Sequence, residues 1–389
     1  MKILNICQIL PLEGLKREND ITIKIQDEIR KSDSSIEFVF LKNLPYSNKL
    51  LATIKPIWKK YLEYIEKKEI VVGGYRTILF PWFKLPTSNF SVDKNLLLLN
   101  RLCKLKNVEK ILGNEVKSFD LFLSQNNIAD GVVANYLSKK YNIPHIHVFR
   151  GLMDEEIYNS SIIQEIMSNA KFCITPSPTI HKFLKQRNYE ITLLPHGVDD
   201  EYFYDQKKDF TKARFLTVGR LLSLKNTDMV IRALKSAKDQ GYVFEYVIVG
   251  DGPEKLRLEK LVIDLKLDQE VKFTGWLEKS EVIEHLQDAN VFVMPSIPET
   301  LGRVYLEAAA AGCLCIGHKG SGVDGFFKDR KNAIFCDART IDQDIIDVIK
   351  NLNSDDFQEY IDSAKDLVNN LHWNVVASNY IELFKGIHR

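Results

Sequence analysis

Two carboxylates, Glu299 and Glu307, lie eight residues apart with Gly302 between them, in the stretch PSIPETLGRVYLEAAAAG, Pro295–Gly312. The apolar run Val291–Met294 before it reads as a buried strand, Pro295–Pro298 as a turn, and an Ala-rich helical pattern begins near Arg303. A strand end, a turn and a helix start point backbone N–H groups and the positive end of a dipole at one spot. Gly302 has no side chain to keep a ligand away from that backbone. Carboxylates repel phosphate but accept paired hydrogen bonds from a vicinal diol. The matching ligand carries phosphate at its centre and a diol at each end, which is the form of a nucleotide sugar. A plainer reading stands beside it: Glu299 caps the helix and Glu307 is a solvated helix residue.

A second chemical cluster lies upstream. Gly219-Arg220 follows an apolar run, and Lys225-Asn226 comes a few residues later. The planar fork of Arg and the mobile ammonium of Lys can share a diphosphate. Together they would neutralise its charge as it leaves, work otherwise given to a metal. Two ordinary surface cations are the alternative.

The elements that must carry these residues read as alternating apolar strands and amphipathic helices. In the first half, strands are expected at Ile3–Leu10, Ile36–Leu41, Phe119–Ser124, Ile143–Val148, Phe172–Thr175 and Thr192–Pro195, with helices at Ile21–Arg30 and Asp130–Tyr141. The pattern restarts at Phe215–Val218, with a helix from Thr227. Further strands follow at Phe244–Val249, Val271–Thr274, Val291–Met294, Leu314–Ile316 and Ala333–Phe335. Such alternation predicts an α/β chain with two doubly wound parallel sheets, split near 196–212. Ligands of these sheets sit beyond the carboxyl ends of the strands. Facing domains would therefore bind theirs in a cleft.

Composition agrees: 389 residues suit two domains, 45% of the chain is apolar, and the formal net charge is +1. Nothing marks disorder or a nucleic-acid binder. Six cysteines, mostly in apolar runs and without a CxxC, suit buried thiols of a cytosolic protein. Met1–Leu10, interrupted by Asn5 and Gln8, reads as a strand rather than a signal peptide. No apolar run approaches the ~18 residues of a membrane span. Residues 45–110 break the alternation with 13 Lys or Arg against 5 Asp or Glu, and with Trp58, Tyr61, Tyr64, Tyr75, Phe80, Trp82 and Phe83. Basic and aromatic residues together suit peripheral contact with an anionic membrane or a lipid-linked substrate. A pair of helices with Lys-rich outer faces and an aromatic core side suits them equally.

Taken in order, the motifs resemble the retaining GT-B glycosyltransferases of glycosyltransferase family 4 (group 1). Pro195-His-Gly-Val-Asp199 with Phe203 is similar to that family's interdomain PNGVD…F signature, and Gly219-Arg220-Leu with Lys225 to its GRL…K diphosphate clamp. Val249-Gly-Asp-Gly-Pro253 and Phe273-Thr-Gly275 match its next two strand ends. Glu299 to Glu307 matches its E-x7-E motif, and His372-Trp373…Tyr380 its returning C-terminal helix. The resemblance covers about 195–389. It implies an acceptor-binding Rossmann-like domain over 1–195, a nucleotide-sugar donor domain over 196–371, and a helix over 372–389 crossing back onto the first.

It also implies roles. Arg220 and Lys225 hold the diphosphate and stabilise the leaving group. Glu299 bonds the donor-sugar hydroxyls and Glu307 the ribose diol. The backbone of Leu301, Gly302, Arg303 and Val304 lines phosphate and sugar, and Trp276-Leu277 meets the base. No cofactor or metal is implied, and configuration is retained by front-face attack. The donor is expected to be a UDP- or GDP-type hexose, and the acceptor a glycan or lipid-linked precursor of a bacterial surface polysaccharide. The expected location is cytoplasmic, peripheral to the inner membrane face.

The first half departs from the family pattern. Relatives often carry a His at a strand end or in a T-x-H-G loop, where this chain has Ser124-Gln125-Asn126 and Phe149-Arg150-Gly151. His145 and His147 alternate as strand residues, and the glycine-rich first loop is reduced to Gly14. Arg150 is the candidate for the His role. Arg303 either pairs with a neighbour or reads an acidic or phosphate group. Asp342-Gln-Asp344 resembles a metal-binding DxD but reads as an acidic helix start. Two other functions remain: a noncatalytic nucleotide-sugar-binding protein and a GT-B nucleotide-sugar epimerase. The epimerase needs a carboxylate acid/base pair facing the sugar, and the first half shows none.

Overall fold

The structure is a computed structural model. It describes residues 1–8, 10–13, 21–45, 49–53, 56–82, 104–125, 128–151, 158–206 and 208–388. Gly14, Phe83 and Asn126, singled out above, and Cys103, one of the six cysteines, lie outside the described residues. Two compact units divide the chain: Met1–Pro176 with Leu184–Leu194 and Ala377–Arg389, and Ser177–Phe183 with Pro195–Val376.

The first unit is built on an eight-stranded sheet. Its strands are β1 Lys2–Cys7, β2 Glu37–Pro45, β3 Glu69–Val72, β4 Tyr75–Trp82, β5 Leu121–Gln125, β6 His145–Val148, β7 Phe172–Thr175 and β8 Thr192–Leu193. Their spatial order is β3-β4-β2-β1-β5-β6-β7-β8, parallel except where β3 runs against β4. Strands of a sheet covered on both faces are apolar on both sides, which is why they read as continuous runs. Leu4, Ile6, Val39, Leu41 and Phe122 pack with Val133 and Leu137 of the helix Ile128–Tyr141 on one face. At the other face the Cys7 Sγ meets Thr22 Oγ1 of the helix Ile21–Ser32 at 3.9 Å.

The second unit holds six parallel strands: β9 Ala213–Val218, β10 Phe244–Val249, β11 Val271–Gly275, β12 Val291–Val293, β13 Leu314–His318 and β14 Ile334–Cys336. The order is β11-β10-β9-β12-β13-β14, so chain order reverses between β9 and β12. One core runs from Phe215, Val230 and Leu234 through Tyr246 and Val293 to Ile345 and Phe357. Each such buried side chain contributes roughly 1.5–3 kcal/mol.

Two sequence expectations change here and a third is borne out. Residues 45–110 are not only a helical pair: beside the helices Lys49–Ala52 and Pro56–Lys67 lies the β3–β4 hairpin, turning at Gly73-Gly74 with φ of 57° and 80°. Tyr75 and Phe80 are buried within it. The boundary between units is also less simple than a cut at 195. Ser177 and Thr179 donate to the backbone oxygens of Thr300 and Gly322, which ties the start of the helix Pro178–Lys185 to the second unit. The C-terminal helix, Trp373–Lys385, divides between the units, with only Ala377 onward in the first. Finally, Asp342 and Asp344 do begin a helix, Ile341–Asn351, but Asp344 is buried and paired with Arg330. Asp342 accepts from Ser236 Oγ at 2.9 Å. Their carboxylates thus have protein partners.

Candidate functional site

In an open parallel sheet the crevice lies where chain order reverses, beyond the carboxyl ends of the two central strands. In the second unit those strands are β9 and β12. Arg220 and Lys225 follow β9, and Glu299 follows β12. Topology alone therefore brings the sequence's cations and its first carboxylate to one crevice.

The contacts are specific. Lys225 Nζ donates to Glu299 Oε2 at 2.7 Å, and both side chains are largely buried. Ser296 Oγ donates to the same oxygen at 3.4 Å. The Glu299 backbone is held from two sides: its N–H donates to Ser321 Oγ at 2.8 Å, and its carbonyl accepts from Gly322 N at 3.0 Å. Asn226, at φ 52°, donates through Nδ2 to the Pro295 carbonyl at 2.8 Å, and Ile297 N donates to Leu224 O at 2.9 Å. The two loops are thus stitched together independently of any ligand. Arg220 is exposed at the end of β9, and among the described residues no hydrogen bond engages its guanidinium.

The helix Arg303–Ala310 begins at Gly302, which sits at φ 68° and provides no side-chain cap. A Cβ there would lie 2.8 Å from the Tyr305 ring and 3.3 Å from Glu299 Cγ. Tyr305 N donates back to Gly302 O at 2.9 Å, while the N–H groups of Arg303 and Val304 before it have no intrahelical acceptor, so this terminus presents donors and positive potential beside Lys225. Tyr305 is buried beneath, with its hydroxyl donating to the Met294 carbonyl, which fixes the helix start on β12. Leu301 is buried, and Val304 is half-buried.

One turn into the helix, Glu307 Oε1 accepts from Arg303 Nη2 at 3.4 Å. Of the two readings of Arg303, the structure provides the pairing with a neighbour. Burial pushes the Glu307 carboxyl up, and the Arg303 guanidinium pulls it back. Around it, sequence reasoning names Asp199 and Trp373 only as signature residues and misses Lys279. Asp199 is held by Trp373 Nε1 at 2.8 Å and by Lys279 Nζ at 2.8 Å. Their partners lie 174 and 80 residues away in sequence, so no local signal could have joined them.

The segment Pro195–Asp199 proves to be a structural joint. A Cβ at Gly197 would lie 2.3 Å from the Trp373 ring, Val198 N donates to Leu371 O at 2.8 Å, and Phe203 stacks on His372 at 3.9 Å. The glycines of Val249–Pro253 have a similar explanation. Gly250 and Gly252 let this turn lie against the Gly219–Leu221 backbone, where Cβ atoms would come within 1.9 and 2.3 Å of carbonyl oxygens. Trp276 and Leu277 directly follow β11, the edge strand of this sheet, and Trp276 is exposed.

In the first unit the order reverses between β1 and β5. Gln125 closes β5, and its Oε1 accepts from Arg150 Nε at 2.8 Å, with Arg150 buried just after β6. His145 and His147 are buried strand residues. Ser124 Oγ lies 2.7 Å from His147 Nδ1, and burial pushes the two imidazoles down to about 4 and about 3. At the end of β1, Lys42 Nζ donates to the carbonyls of Gln8 and Leu10 at 2.6 Å each, while Asp130 accepts from Gln8 N at 3.1 Å.

Residues 198–370 match the family described as glycosyl transferases group 1. Alpha-monoglucosyldiacylglycerol synthase of Acholeplasma laidlawii is 28% identical over 192 residues, 45% of this chain and 48% of that protein. A putative colanic acid biosynthesis glycosyltransferase, WcaL, of Escherichia coli (strain K12) is 28% identical over 44% of this chain and 45% of its own. The chain thus matches about half the length of these curated relatives. Solved structures align along nearly the whole chain. Anabaena Alr3699/HepE in complex with UDP gives a TM-score of 0.70 at 16% identity, covering 99% of this chain and 100% of that one. The lipopolysaccharide outer core galactosyltransferase WaaB, apo form, gives 0.68 at 17%, covering 98% of each. The fold is that of GT-B glycosyltransferases, with two Rossmann-like units.

Proposed function

We propose that the protein is a retaining, metal-independent glycosyltransferase that moves a hexose-type sugar from a UDP- or GDP-type donor to a glycan or lipid-linked acceptor. The observation that carries this reading is the crevice between β9 and β12. There Lys225 is paired with Glu299 beside the uncapped start of the helix Arg303–Ala310. Cations and backbone donors suit the diphosphate, and carboxylates suit the diols on either side of it. Arg220, exposed at the rim, closes on the diphosphate from the solvent side.

In the proposed reaction the bond between the sugar C1 and the diphosphate oxygen breaks, leaving its electron pair on the diphosphate. The acceptor oxygen bonds C1 from the same face, and its proton passes to a departing diphosphate oxygen. Lys225, Arg220 and the helix N-terminus stabilise the charge that develops there. No protein nucleophile is needed and no metal is assigned. Arg150, seated on Gln125 at the reversal point of the first sheet, is the residue proposed to contact the donor sugar or phosphate from that unit.

Relatives in amylovoran and colanic acid synthesis favour a bacterial surface polysaccharide as the pathway. Peripheral contact with an anionic membrane is proposed for the helices Lys49–Ala52 and Pro56–Lys67, where exposed Leu50 and Ile57 stand among Lys49, Lys59, Lys60 and Lys67. Among the described residues no helix is long and apolar enough to cross a membrane.

A thermal-shift screen of the full chain against UDP, GDP, ADP and dTDP sugars, with and without a chelator, tests the proposal. A shift with UDP or GDP sugars that survives the chelator is expected. No shift with any nucleotide sugar would reject the donor site, and a bound donor that is neither hydrolysed nor transferred to any glycan acceptor would favour the noncatalytic binding role.

A further inference from the structure

Glu307 occupies an awkward electrostatic position. Its carboxylate is 14% exposed, and burial of a lone carboxylate favours the neutral form. A second acid, Asp199, pushes in the same direction, and after burial it is the Glu307 charge that raises the Tyr202 phenol. A neutral carboxyl would present its own proton and lose half its acceptor capacity toward a vicinal diol.

Two cations answer this. Arg303, one helical turn earlier, reaches Glu307 Oε1 at 3.4 Å. Lys279, at the start of the helix Lys279–Asp288, bridges Asp199 at 2.8 Å and Glu201 at 2.6 Å and lies 5.6 Å from the centre of the Tyr202 ring. Trp373 Nε1 holds the other Asp199 oxygen. Asp199 is therefore fixed and neutralised by Lys279 rather than left as a bare charge facing Glu307. Neither cation is spent on the diphosphate crevice, where Lys225 and Arg220 already stand.

We infer that Arg303 and Lys279 are positioning residues that keep Glu307 a two-acceptor carboxylate aimed at the donor ribose. This rests on the donor-site reading above. Neither cation need touch the ligand: Arg303 orients Glu307 directly, and Lys279 removes the competing charge of Asp199.

Calorimetric titration of the full chain with UDP or GDP, whichever shifts the melting point, and with its 2′-deoxy analogue tests the inference. Losing one hydrogen bond to a charged group predicts that the wild type prefers the ribonucleotide by about tenfold or more. Arg303→Met and Lys279→Met are expected to weaken ribonucleotide binding about tenfold and bring the preference close to one. Glu307→Gln should do the same, and the charge-keeping Arg303→Lys and Lys279→Arg should restore it. Methionine variants that melt like the wild type and keep its full preference overturn the inference, because a role in packing alone would not touch the 2′-hydroxyl. A wild type that binds both nucleotides equally overturns it too, through the ribose assignment, while the donor site stands. Only a wild type that binds no nucleotide removes both.

Discussion

Lys225 Nζ and Glu299 Oε2 meet at 2.7 Å across the reversal point of the second sheet, from loops 74 residues apart. Their side chains are 17% and 16% exposed, so this pair is not the weak surface kind. The residues assigned separately to diphosphate and sugar are physically one unit, and Glu299 fixes where the ammonium points. Lys225→Met and Glu299→Gln should each destabilise the second unit. The double variant should lose less than the sum, with a coupling of about 1 kcal/mol or more. Urea melts of the four proteins measure this directly. With a nucleotide-sugar substrate, Lys225→Met should also lower turnover by about two to three orders of magnitude. A coupling near zero would mean the pair is incidental.

Gly250 provides a test of why the strand ends carry glycine. Its φ is 134°, and a Cβ would stand 1.9 Å from the Gly219 carbonyl oxygen, immediately before Arg220. Backbone cannot swing aside as a flexible side chain can, so Gly250→Ala should cost about 3 kcal/mol or more. Gly241→Ala is the control: φ is 85°, but nothing lies within 4 Å, and the cost should be about 1 kcal/mol from backbone strain alone. Equal melting temperatures for the two variants would show that the close approach is not what Gly250 serves.

Local structure was legible where chemistry and sequence neighbourhood coincide. Phe244–Val249 and the helix starts at Thr227 and Arg303 could be read directly, because parallel strands are apolar runs and their turns hold Gly and Pro. Arg220, Lys225 and Glu299 were legible for the same reason, each lying just past a strand. The β3–β4 hairpin is not legible because the Lys-rich, aromatic composition of 45–110 masks the strand alternation on either side of Gly73-Gly74. Lys279 is invisible because its meaning depends on Asp199, and the pairing of Gln125 with Arg150 is invisible because the two lie 25 residues apart. Pairing between distant segments is a property of the folded chain, and no window of sequence contains it. Pro195–Asp199 and His372-Trp373 were recognised as separate signatures, yet they form one joint.

Arg150 is buried and anchored by Gln125 at 2.8 Å, so its substitution must separate positioning from folding. Arg150→Lys keeps the charge and loses the planar fork. Arg150→Ala should lower turnover about tenfold or more, with Arg150→Lys intermediate; a contact to the donor sugar leaves nucleotide affinity within about twofold, whereas a contact to the phosphate lowers that affinity as well. Single-turnover rates and UDP or GDP titrations distinguish these terms. Unchanged turnover in a folded Arg150→Ala would remove Arg150 from the mechanism.

His145 and His147 make the first unit acid-sensitive for a reason unrelated to catalysis. Both lie on β6 inside the core, and no hydrogen-bond partner among the described residues meets the His145 ring. A Cβ at Gly131 would stand 2.9 Å from His147 Cε1, which shows how closely the helix Ile128–Tyr141 covers that ring. Burial lowers His145 to about 4 and His147 to about 3, the latter pushed further by its neighbour. In the unfolded chain both titrate near 6.5. Above that pH neither state binds the protons and stability is full. Below it the unfolded chain takes them up and the folded one does not, so stability falls between about pH 6.5 and 4. The limiting slope is about 1.4 kcal/mol per pH unit for each imidazole. Asp130, whose carboxyl is raised by burial, works in the opposite direction: its contribution is present below its unfolded value and fades as pH rises through the folded one. Comparison with a His145→Gln/His147→Gln double variant cancels that background. Its unfolding free energy should change less between pH 6.5 and 5 than that of the wild type, and identical slopes would show that the two imidazoles are not held neutral by the core.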